Sequence, residues 1–393
     1  MSQKNCITDL LGLQNILVSD FQIDENSINI YLYSDAKSTP CPHCGCFTSL
    51  IHDYRTQIIK DVPYNNKPIY LHLKKRRYHC PHCNKHFYER YNFISKNYRV
   101  TSKVYISIIN SCKSKQSFKD IAKYHNISVN TVVRAFEFVN HNNKPPLPEV
   151  LGIDEFKGNT GYEKFQLILT DIENKKVSNI LPTRKKTDII TYFKQYSTPE
   201  REKVKFFVMD MWNDYKDISW LFPNAKVVVD KYHYVRQVYW ALDKVRKKIQ
   251  QRFPKDKRLH FKHCKKMLWK EYSKLKDENQ ITVRLMLDQH EDLYKAWMLK
   301  ELFISYRESK TRAQAEKEML EWLLTAEDIN LPEFKDCTRA FHNWSEYINN
   351  SIEFNYTNGF TEGTNNMIKV IKRIAFGYRN FKHFRNRILL NCA

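Results

Sequence analysis

Three carboxylates occur at positions from which a folded chain could bring them to one site. Asp154 and Asp210 end apolar runs that indicate β-strands, and Glu362 begins a segment with helical periodicity. An acid at the end of a buried strand is costly unless it is solvated, paired or bound to metal. Taken singly, each acid is explained equally well as a turn residue or as a helix-start carboxylate that complements the macrodipole.

Taken together, the three acids favour one chemistry. Mg²⁺ prefers oxygen ligands, and two ions roughly 3.5–4 Å apart can activate a nucleophile and stabilise the leaving oxygen of an in-line phosphoryl displacement. At 100° per residue, the helical face that holds Glu362 also presents Asn366, Lys369 and Arg373. The side chains of Lys369 and Arg373 are cations that could hold phosphates. We therefore predict a site for two Mg²⁺ (or Mn²⁺) ions, with Asp154, Asp210 and Glu362 as ligands.

A second metal site is indicated by two matched cysteine pairs, Cys41-Pro-His-Cys44 and Cys80-Pro-His-Cys83. Two such turns supply four thiolates for a tetrahedral Zn²⁺, and in a reducing compartment this spacing favours metal over a disulfide. The 35 residues between the pairs exceed the compact pattern, so we expect a β-hairpin there. Cys46 comes too late to belong to the first pair and is taken as a bystander. We predict one structural Zn²⁺.

Basic residues are concentrated after this hairpin. Eleven basic residues and one acid, Glu89, occur between Lys74 and Lys115, a segregation that suits a phosphate backbone better than a solvated surface. The run begins with four predicted DNA contacts: Lys74, Lys75, Arg76 and Arg77.

A helix-turn-helix is predicted next. Ser117 with Asp120 resembles a capping pair for a first helix, and Ser128 caps a second helix that buries Val129. The second helix would direct three residues toward base edges: Asn130, Thr131 and Arg134. An ordinary helical hairpin is the alternative.

Composition excludes several other classes. The chain has only 8 glycines in 393 residues, and it contains neither a dinucleotide-binding nor a P-loop motif, so we expect no nucleotide cofactor. With 65 basic against 43 acidic residues the net charge is +22, which makes a polyanion the first partner to consider. No apolar run is long enough to span a bilayer and no secretion signal is recognisable, so we expect no membrane partner and a cytoplasmic, nucleoid-associated location.

The order of these patterns predicts a multidomain α/β protein. A proline-rich linker at 143–149 separates two different kinds of domain, and three meandering strands followed by alternating helices and strands indicate a ribonuclease-H-like mixed sheet. Successive helices then occupy the long interval before Glu362. The predicted parts are a zinc ribbon (1–95), a helix-turn-helix (96–142), the first catalytic part (150–234), an all-helical insertion (235–347) and the last catalytic part (348–393).

Several strings together resemble one family, the DDE transposases of bacterial insertion sequences of the ISL-three family. The resemblance covers nearly the whole chain, and its most specific strings lie near the end. The matching strings are the Cys-Pro-His-Cys pairs, Ser117–Ala122, Gly152–Phe156, Val229–His233, Glu362–Asn366, Ile371–Arg373 and Gly377–Arg379.

This resemblance implies a metal-dependent enzyme that binds the terminal inverted repeats of its element, cuts DNA and joins the ends to target DNA. Asp154, Asp210 and Glu362 become the catalytic acids, and Asp230 and His233 become supporting residues because they match a D-x-x-H string. Asn366, Lys369 and Arg373 are assigned supporting roles on the helix of Glu362. A homo-oligomer, a dimer on DNA, is expected because two ends must be paired.

Alternatives remain at this stage. Asp214 or Asp230 could replace Asp210 as the second acid, and Asp171 and Glu155 are weaker substitutes. A catalytically inert DNA-binding regulator would share the amino-terminal half without needing three acids, and a nuclease without strand transfer would need the acids alone.

Overall fold

A computed structural model describes residues 7–8, 10–13, 15–161 and 163–392. The chain forms two compact units. One comprises Met1–His141 with Val370–Asn391, and the other comprises Asn142–Lys369 with the last two residues. The boundary at 141/142 lies next to the predicted linker, whereas the predicted last catalytic part, 348–393, is divided between the two units.

The amino-terminal unit contains a five-stranded sheet. Its strands are β1 (Ile16–Ile23), β2 (Ile28–Ser34), β5 (Ile51–Tyr64), β6 (Lys67–Cys80) and β7 (Lys85–Tyr88). The order is β1-β2-β6-β5, and β7 also pairs with β6. Alternate residues such as Leu32, Leu71 and Leu73 bury one face of the sheet. A smaller sheet joins β3 (Thr39–Pro40) to β4 (Phe47–Thr48).

The hairpin predicted between the two cysteine pairs is confirmed. It is formed by β5 and β6, which pair antiparallel along most of their length. Asn65 and Asn66 connect the strands with φ values of 47° and 60°. Asparagine tolerates this left-handed region better than most residues, and two successive positive φ values give the turn twist that a two-residue hairpin requires.

Three short helices follow the sheet: α1 (Ser102–Ser111), α2 (Phe118–Tyr124) and α3 (Val129–Glu137). The predicted caps are confirmed, since the Ser117 hydroxyl accepts from the Asp120 N–H in a capping box and the Ser128 hydroxyl accepts from the Thr131 N–H. The predicted burial differs at two positions. Val129 is exposed because it begins the helix, and Thr131 is buried, with its hydroxyl 2.9 Å from that of Ser128.

The last helix of the chain, α15 (Phe381–Cys392), packs with these three helices. The buried amide of Asn386 donates to the Val139 carbonyl, and the Arg387 guanidinium donates to the carbonyls of Ser114 and Gln116. Because these side chains satisfy backbone acceptors of the amino-terminal unit, residues 370–391 group with it.

The second unit contains a mixed sheet of β8 (Val150–Phe156), β9 (Gln166–Asp171), β10 (Lys176–Leu181), β11 (Phe206–Met209) and β12 (Lys226–Val229). The strand order is β10-β9-β8-β11-β12. The first three strands are antiparallel, and β11 runs parallel to both β8 and β12. Helices α4 (Lys186–Phe193), α5 (Thr198–Arg201) and α6 (Asn213–Ile218) connect the later strands.

Glycine is required at one position of β8. A Cβ atom on Gly152 would lie 2.4 Å from the Thr170 hydroxyl and 2.8 Å from the Ile172 side chain. The Thr170 hydroxyl in turn lies 2.9 Å from the Thr361 hydroxyl. The small residue therefore leaves room for the contact between the sheet and the segment that carries Glu362.

Successive helices fill the interval between β12 and residue 359. They are α7 (Lys231–Gln250), α8 (Lys255–His263), α9 (Lys265–Trp269), α10 (Asp277–Leu287), α11 (Glu291–Glu308), α12 (Arg312–Ile329) and α13 (Lys335–Phe354). Aromatic residues at their centre are buried, including Tyr234, Phe303, Trp322 and Phe341. Helix α14 (Gly359–Ile374) follows. Among the described helices, all fall short of the length and apolar character needed to cross a bilayer.

Candidate active site and metal centre

Parallel strands place three of the candidate acids at neighbouring strand ends. Asp154 lies in β8, Asp210 follows β11, and Asp230 follows β12. Met209 pairs with Val229, and the Asp230 N–H donates to the Met209 carbonyl. Since the strands are about 4.8 Å apart, the three carboxylates are brought to one edge of the sheet by β-sheet register alone.

Asp154 is almost fully buried, with 9% of its surface exposed. One carboxylate oxygen accepts from the Glu155 N–H at 2.7 Å, and the other accepts from the Asn365 amide at 2.7 Å. Burial, reinforced by the negative charge of Asp210, raises the pKa of Asp154 to about 7. Without a cation, the site therefore opposes the ionised form of its own central acid.

Asp210 is held from two sides. Its Oδ2 lies 2.9 Å from Nε2 of His233, and its Oδ1 accepts from the Asn358 amide at 3.2 Å. Burial disfavours the charged imidazole, but the hydrogen bond to Asp210 and the negative charge of Asp210 together outweigh burial, so the pKa of His233 is raised. The ring thus fixes the orientation of the Asp210 carboxylate.

Asp230 has a different environment from Asp210. It is buried and caps α7, where its Oδ2 accepts from the Tyr232 N–H, while its Oδ1 accepts from the Asn358 N–H at 2.9 Å. Both oxygens are therefore engaged by backbone donors, as is typical of a carboxylate that fixes a helix start and a loop.

Glu362 lies in the first turn of α14 and is exposed. Its carboxylate, one oxygen of Asp230 and one nitrogen of His233 all lie within 4.8 Å of one another. Because His233 also contacts Asp210, the structure brings Glu362 into the same constellation as the strand-end acids. On the same helix, Asn366 and Lys369 are exposed, and the Lys369 ammonium donates to the Asn366 side chain at 3.1 Å.

Arg373 is exposed in the last turn of α14. The buried side of this helix is partly polar. Ile368 and Ile371 are buried there, but so are three polar residues: Thr361, Thr364 and Asn365. Each has a partner: Asn365 donates to Asp154, the Thr361 hydroxyl lies 2.9 Å from that of Thr170, and the Thr364 hydroxyl donates to the Phe360 carbonyl.

Two residues that the sequence reasoning missed connect α14 to the acids. Asn358 contacts Asp210 and Asp230, and its amide also donates to the Ile153 carbonyl. Asn365 donates to Asp154 and to the Glu155 carbonyl. A signal was present in the sequence, since a polar amide on the buried side of an amphipathic helix requires a partner.

The alternative acids are engaged elsewhere. Glu155 forms an ion pair with Arg184 at 2.8 Å and accepts from the Tyr215 hydroxyl at 2.9 Å. Asp171 accepts from the backbone and side chain of Asn174 in the turn after β9. Asp214 lies in the first turn of α6, outside the group formed by Glu362, Asp230 and His233.

The donor set fits divalent cations. Asp230 and Glu362 lie close together, Asp154 is near enough to Asp210 for its pKa to be raised by that charge, and carboxylate oxygens of this kind suit Mg²⁺. The Oδ1 atom of Asn365 is buried without a hydrogen-bond partner, which is costly in a protein interior. Glu362, Asp230 and His233 offer donor atoms within 4.8 Å of one another, and Asp154 and Asp210 lie at the same edge of the sheet.

An aromatic and basic surface on α7 adjoins His233. Arg236 lies between Tyr232 and Trp240, with its guanidinium 5.1 Å and 4.3 Å from the two ring centroids. Both rings are about half exposed. His233, Arg236, Trp240 and Lys244 also line a cavity of about 280 Å³. Lys244 is exposed and Arg236 is half-buried, and cations in such a cleft are suited to a phosphate backbone.

The four paired cysteines converge in the amino-terminal unit. Sγ of Cys41 lies 3.6 Å from Sγ of Cys83, Sγ of Cys44 lies 3.6 Å from Sγ of Cys80, and all four atoms lie within 4.8 Å of one another. A tetrahedron with Zn–S bonds of about 2.3 Å has edges near 3.8 Å, so these thiols fit Zn²⁺ and are too far apart for disulfides. Cys46 lies outside this group of four.

The metal-free thiols differ in acidity, and burial together with the neighbouring thiols raises the pKa of Cys83 to about 12. Burial opposes ionisation of Cys41, but backbone N–H groups of His43 and Cys44 outweigh it and lower the pKa of Cys41 to about 7. A thiolate is the form that binds Zn²⁺.

The four basic residues predicted to contact DNA differ in their environments. Arg76 pairs with Glu89 at 2.7 Å, with side chains only 13% and 6% exposed, and its guanidinium also donates to Ser34 and Ala36. It holds the unit together rather than facing solvent. Lys74 is exposed.

Lys75 and Arg77 are half-buried. The Lys75 ammonium donates to Gln57 at 3.1 Å, and Arg77 pairs weakly with Asp53 at 3.4 Å. On helix α3, Asn130 and Arg134 are exposed as predicted, whereas the burial of Thr131 removes it from the expected base-reading set.

Comparison with known proteins identifies the family. A family model described as transposase matches residues 151–388, and a model described as the zinc-finger of transposase IS204/IS1001/IS1096/IS1165 matches residues 37–83. Since the first match covers more than half of the chain, the protein belongs to this family, the ISL-three transposases. The predicted family and zinc ribbon are confirmed, and the cysteine cluster within that ribbon supports one structural zinc.

Two relatives illustrate the extent of the similarity. The transposase for insertion sequence element IS1001 from Bordetella parapertussis is 23% identical over 370 residues, which cover 91% of this chain and 90% of the relative. A protein named ATP-dependent protease from Lactococcus lactis subsp. lactis is 42% identical over 68 residues, 17% of this chain and 22% of that protein. The second match is too short to bear on activity.

Proposed function

We propose that this transposase binds the terminal inverted repeats of an insertion sequence and uses Asp154, Asp210 and Glu362 to cut and join DNA. The main support is the pair of amide contacts made by residues at the start of α14. Asn365 binds Asp154, and Asn358 binds Asp210, across 211 and 148 residues of sequence. These contacts hold the helix of Glu362 against the strand-end acids.

A ribonuclease-H-like catalytic domain is part of this proposal. The order β10-β9-β8-β11-β12, with three antiparallel strands and two parallel strands, supports it. The helices α7 to α13 form the proposed all-helical insertion, since they separate the strand-end acids from the helix of Glu362.

Each residue of the site has a definable task. Two Mg²⁺ (or Mn²⁺) ions, when bound, supply Lewis acidity for an in-line displacement at a DNA phosphate. Asp154, Asp210 and Glu362 hold the ions, while Asn358 and Asn365 fix the carboxylates of the two aspartates. Neighbouring cations on α14, namely Lys369 and Arg373, orient phosphates, with Asn366 beside them.

The second acid is assigned to Asp210. It directly follows β11, which pairs with the strand of Asp154, and its charge raises the pKa of Asp154. Asp230 lies beside Glu362 and His233 and caps α7, and we assign it to positioning the site. His233 orients Asp210 through their 2.9 Å contact. Asp214 is not assigned a role.

DNA recognition is proposed for the amino-terminal unit. Helix α3 presents Asn130 and Arg134 to base edges, and Lys74, Lys75 and Arg77 contact phosphates. We expect the protein to act as a homo-oligomer, a dimer on DNA, because two ends must be joined to one target.

The test is cleavage of a labelled duplex that carries the element's terminal repeat, taken from the DNA that flanks the reading frame. Wild-type protein should cut only with Mg²⁺ or Mn²⁺, and Asp154→Asn should bind the duplex normally but cut at least about 100-fold more slowly. Asp171→Asn is the matched control and should cut normally. Normal cleavage by Asp154→Asn would refute the site.

Strand transfer is tested separately. Pre-cut repeat ends and a supercoiled plasmid target should give joined products that require the same acids. Cleavage without joined products would favour a nuclease, and repeat-specific binding with neither reaction would favour an inert regulator.

A further inference from the structure

One face of the amino-terminal sheet is lined by tyrosines and remains accessible. Along β2 and β6, alternate residues such as Leu32 and Leu73 are fully buried in the core. The residues that alternate with these leucines point to the other face of the sheet, where Tyr33 of β2 is 40% exposed. Tyr54 of β5 is 53% exposed. Large aromatic rings exposed on a sheet are costly in water, which indicates a ligand surface.

These side chains form one continuous surface across three strands. Tyr31 pairs with His72 and Tyr33 pairs with Lys74, while Tyr54 of β5 lies opposite Arg76 of β6. Together with Ser19 and Thr56, they line an open cleft of about 470 Å³. This volume lies within the range of pockets that hold a ligand the size of a nucleoside.

The Tyr31 ring of the cleft is oriented by its neighbours. Tyr31 stacks on His72 with centroids 4.7 Å apart and planes 23° from parallel. His72 is held in turn by the Asn29 side chain, with Nε2 2.9 Å from Oδ1. Pre-oriented flat rings lose little conformational freedom when another flat ring stacks on them.

The charge of the cleft favours an anionic ligand. The Lys74 ammonium lies 4.5 Å from the Tyr54 ring centroid. The residues that line the cleft include Lys74 and Arg76 and no acid. Since Arg76 is neutralised by Glu89, Lys74 supplies the available positive charge.

We propose that this tyrosine cleft binds unpaired nucleotides of single-stranded DNA, with bases stacked on Tyr33 and Tyr54 and a phosphate bound by Lys74. Aromatic stacking and a nearby cation are the contacts by which proteins bind single strands without reading sequence. A duplex does not offer them, because each base is already covered by its neighbours. The inference builds on the proposal that DNA is the substrate, but it concerns a site that contains none of the three acids.

The first test measures the affinity of the full-length, zinc-loaded protein for a labelled oligo(dT) 20-mer by fluorescence anisotropy without added Mg²⁺. The double variant Tyr33→Ala/Tyr54→Ala should bind at least about tenfold more weakly, since two stacked bases are lost. Tyr33→Phe/Tyr54→Phe keeps the rings and should bind within about twofold of wild type. Tyr64→Ala removes a ring that is 60% exposed but does not line the cleft, and it should also bind normally.

A 20-base-pair duplex is measured in parallel. Its affinity for the Ala double variant should stay within about twofold of wild type. Unchanged oligo(dT) affinity would overturn the proposal, and an equal loss for both DNAs would show a duplex-binding surface instead. Zinc content and circular dichroism of each variant establish that the unit is folded.

Photocrosslinking provides a test without substitutions. Oligo(dT) that contains 5-bromodeoxyuridine should crosslink to peptides that cover Ile28–Ser34 and Ile51–Tyr64. Crosslinks confined to other peptides would overturn the proposal. Because neither experiment requires cleavage, a protein that cuts no DNA could still bind single strands here, so the two proposals fail independently.

Discussion

Replacing the central acid of the proposed active site should stabilise the metal-free protein at neutral pH. Burial and the charge of Asp210 raise the pKa of Asp154 from its ordinary value near 3.9 to about 7. A raised pKa means that the folded state retains the proton more tightly than the unfolded state. The contribution of Asp154 to the free energy of unfolding is therefore fully present below about pH 4 and is lost as the pH rises through 7.

The size of the effect follows from the difference between the two pKa values. At 1.36 kcal/mol for each pKa unit, the raised pKa of Asp154 lowers the free energy of unfolding by about 4 kcal/mol at pH 8 but only by about 1.5 kcal/mol at pH 5, compared with a residue that does not titrate. Asp154→Asn removes this cost. Asn365 can then rotate its amide so that its buried, unpartnered Oδ1 accepts a hydrogen bond from the new amide.

The assay is hydrogen exchange of peptides that cover β8 and β11, measured with zinc-loaded protein and no Mg²⁺. Asp154→Asn should raise the free energy of opening of these peptides, and the increase at pH 8 should exceed the increase at pH 5 by about 2.5 kcal/mol. Peptides of β6, in the other unit, serve as an internal control, and Asp171→Asn should show no such pH dependence. An equal effect at both pH values, or no increase at pH 8, would refute the electrostatic reasoning.

Three further predictions concern contacts seen in the structure. Asn365→Ala should slow cleavage about 10- to 100-fold and raise the Mg²⁺ concentration needed for cleavage, because it releases the Asp154 carboxylate. Asn366→Ala is the control and should have a smaller effect on both quantities. Equal effects of the two substitutions would contradict the role of Asn365. Cys83→Ser should abolish zinc binding measured by a colorimetric chelator assay, while Cys46→Ser retains one zinc; zinc loss from both variants would place Cys46 in the site. Arg76→Ala should destabilise the amino-terminal unit by about 3–5 kcal/mol in a denaturant titration because it leaves Glu89 buried and unpaired. Lys74→Ala should leave the free energy of unfolding unchanged and reduce the salt dependence of duplex binding by about one ion. A loss of stability in Lys74→Ala comparable with that in Arg76→Ala would contradict the assignment of a structural role to Arg76 alone.

Many of the candidate metal ligands could be recognised from the local sequence. The cysteine pairs define their own geometry, because two thiolates three residues apart in a tight turn point to the same side. The strand-end acids Asp154 and Asp210 were recognisable because a charged residue that interrupts an apolar strand needs a reason to be there.

Residues that act through long-range contacts were not predictable. Asn358 precedes the helix and has no distinctive local pattern, and the buried position of Asn365 shows only that its amide needs a partner. Their partners lie between 128 and 211 residues away. Arg76 appeared to be one of four equivalent cations, and only the folded sheet shows that it is paired with Glu89. Similarly, the grouping of 370–391 with the amino-terminal unit depends on Asn386 and Arg387 reaching distant carbonyls.

The most direct test of the central claim is whether the three acids bind the ions themselves. Asp154→Cys, Asp210→Cys and Glu362→Cys should each cut repeat-end DNA poorly with Mg²⁺ and regain activity with Mn²⁺, because a thiolate is a soft ligand that binds Mn²⁺ better than Mg²⁺. Asp230→Cys should show no such selective recovery with Mn²⁺. Recovery by Asp230→Cys, or full Mg²⁺ activity in any of the other three variants, would contradict the proposed site.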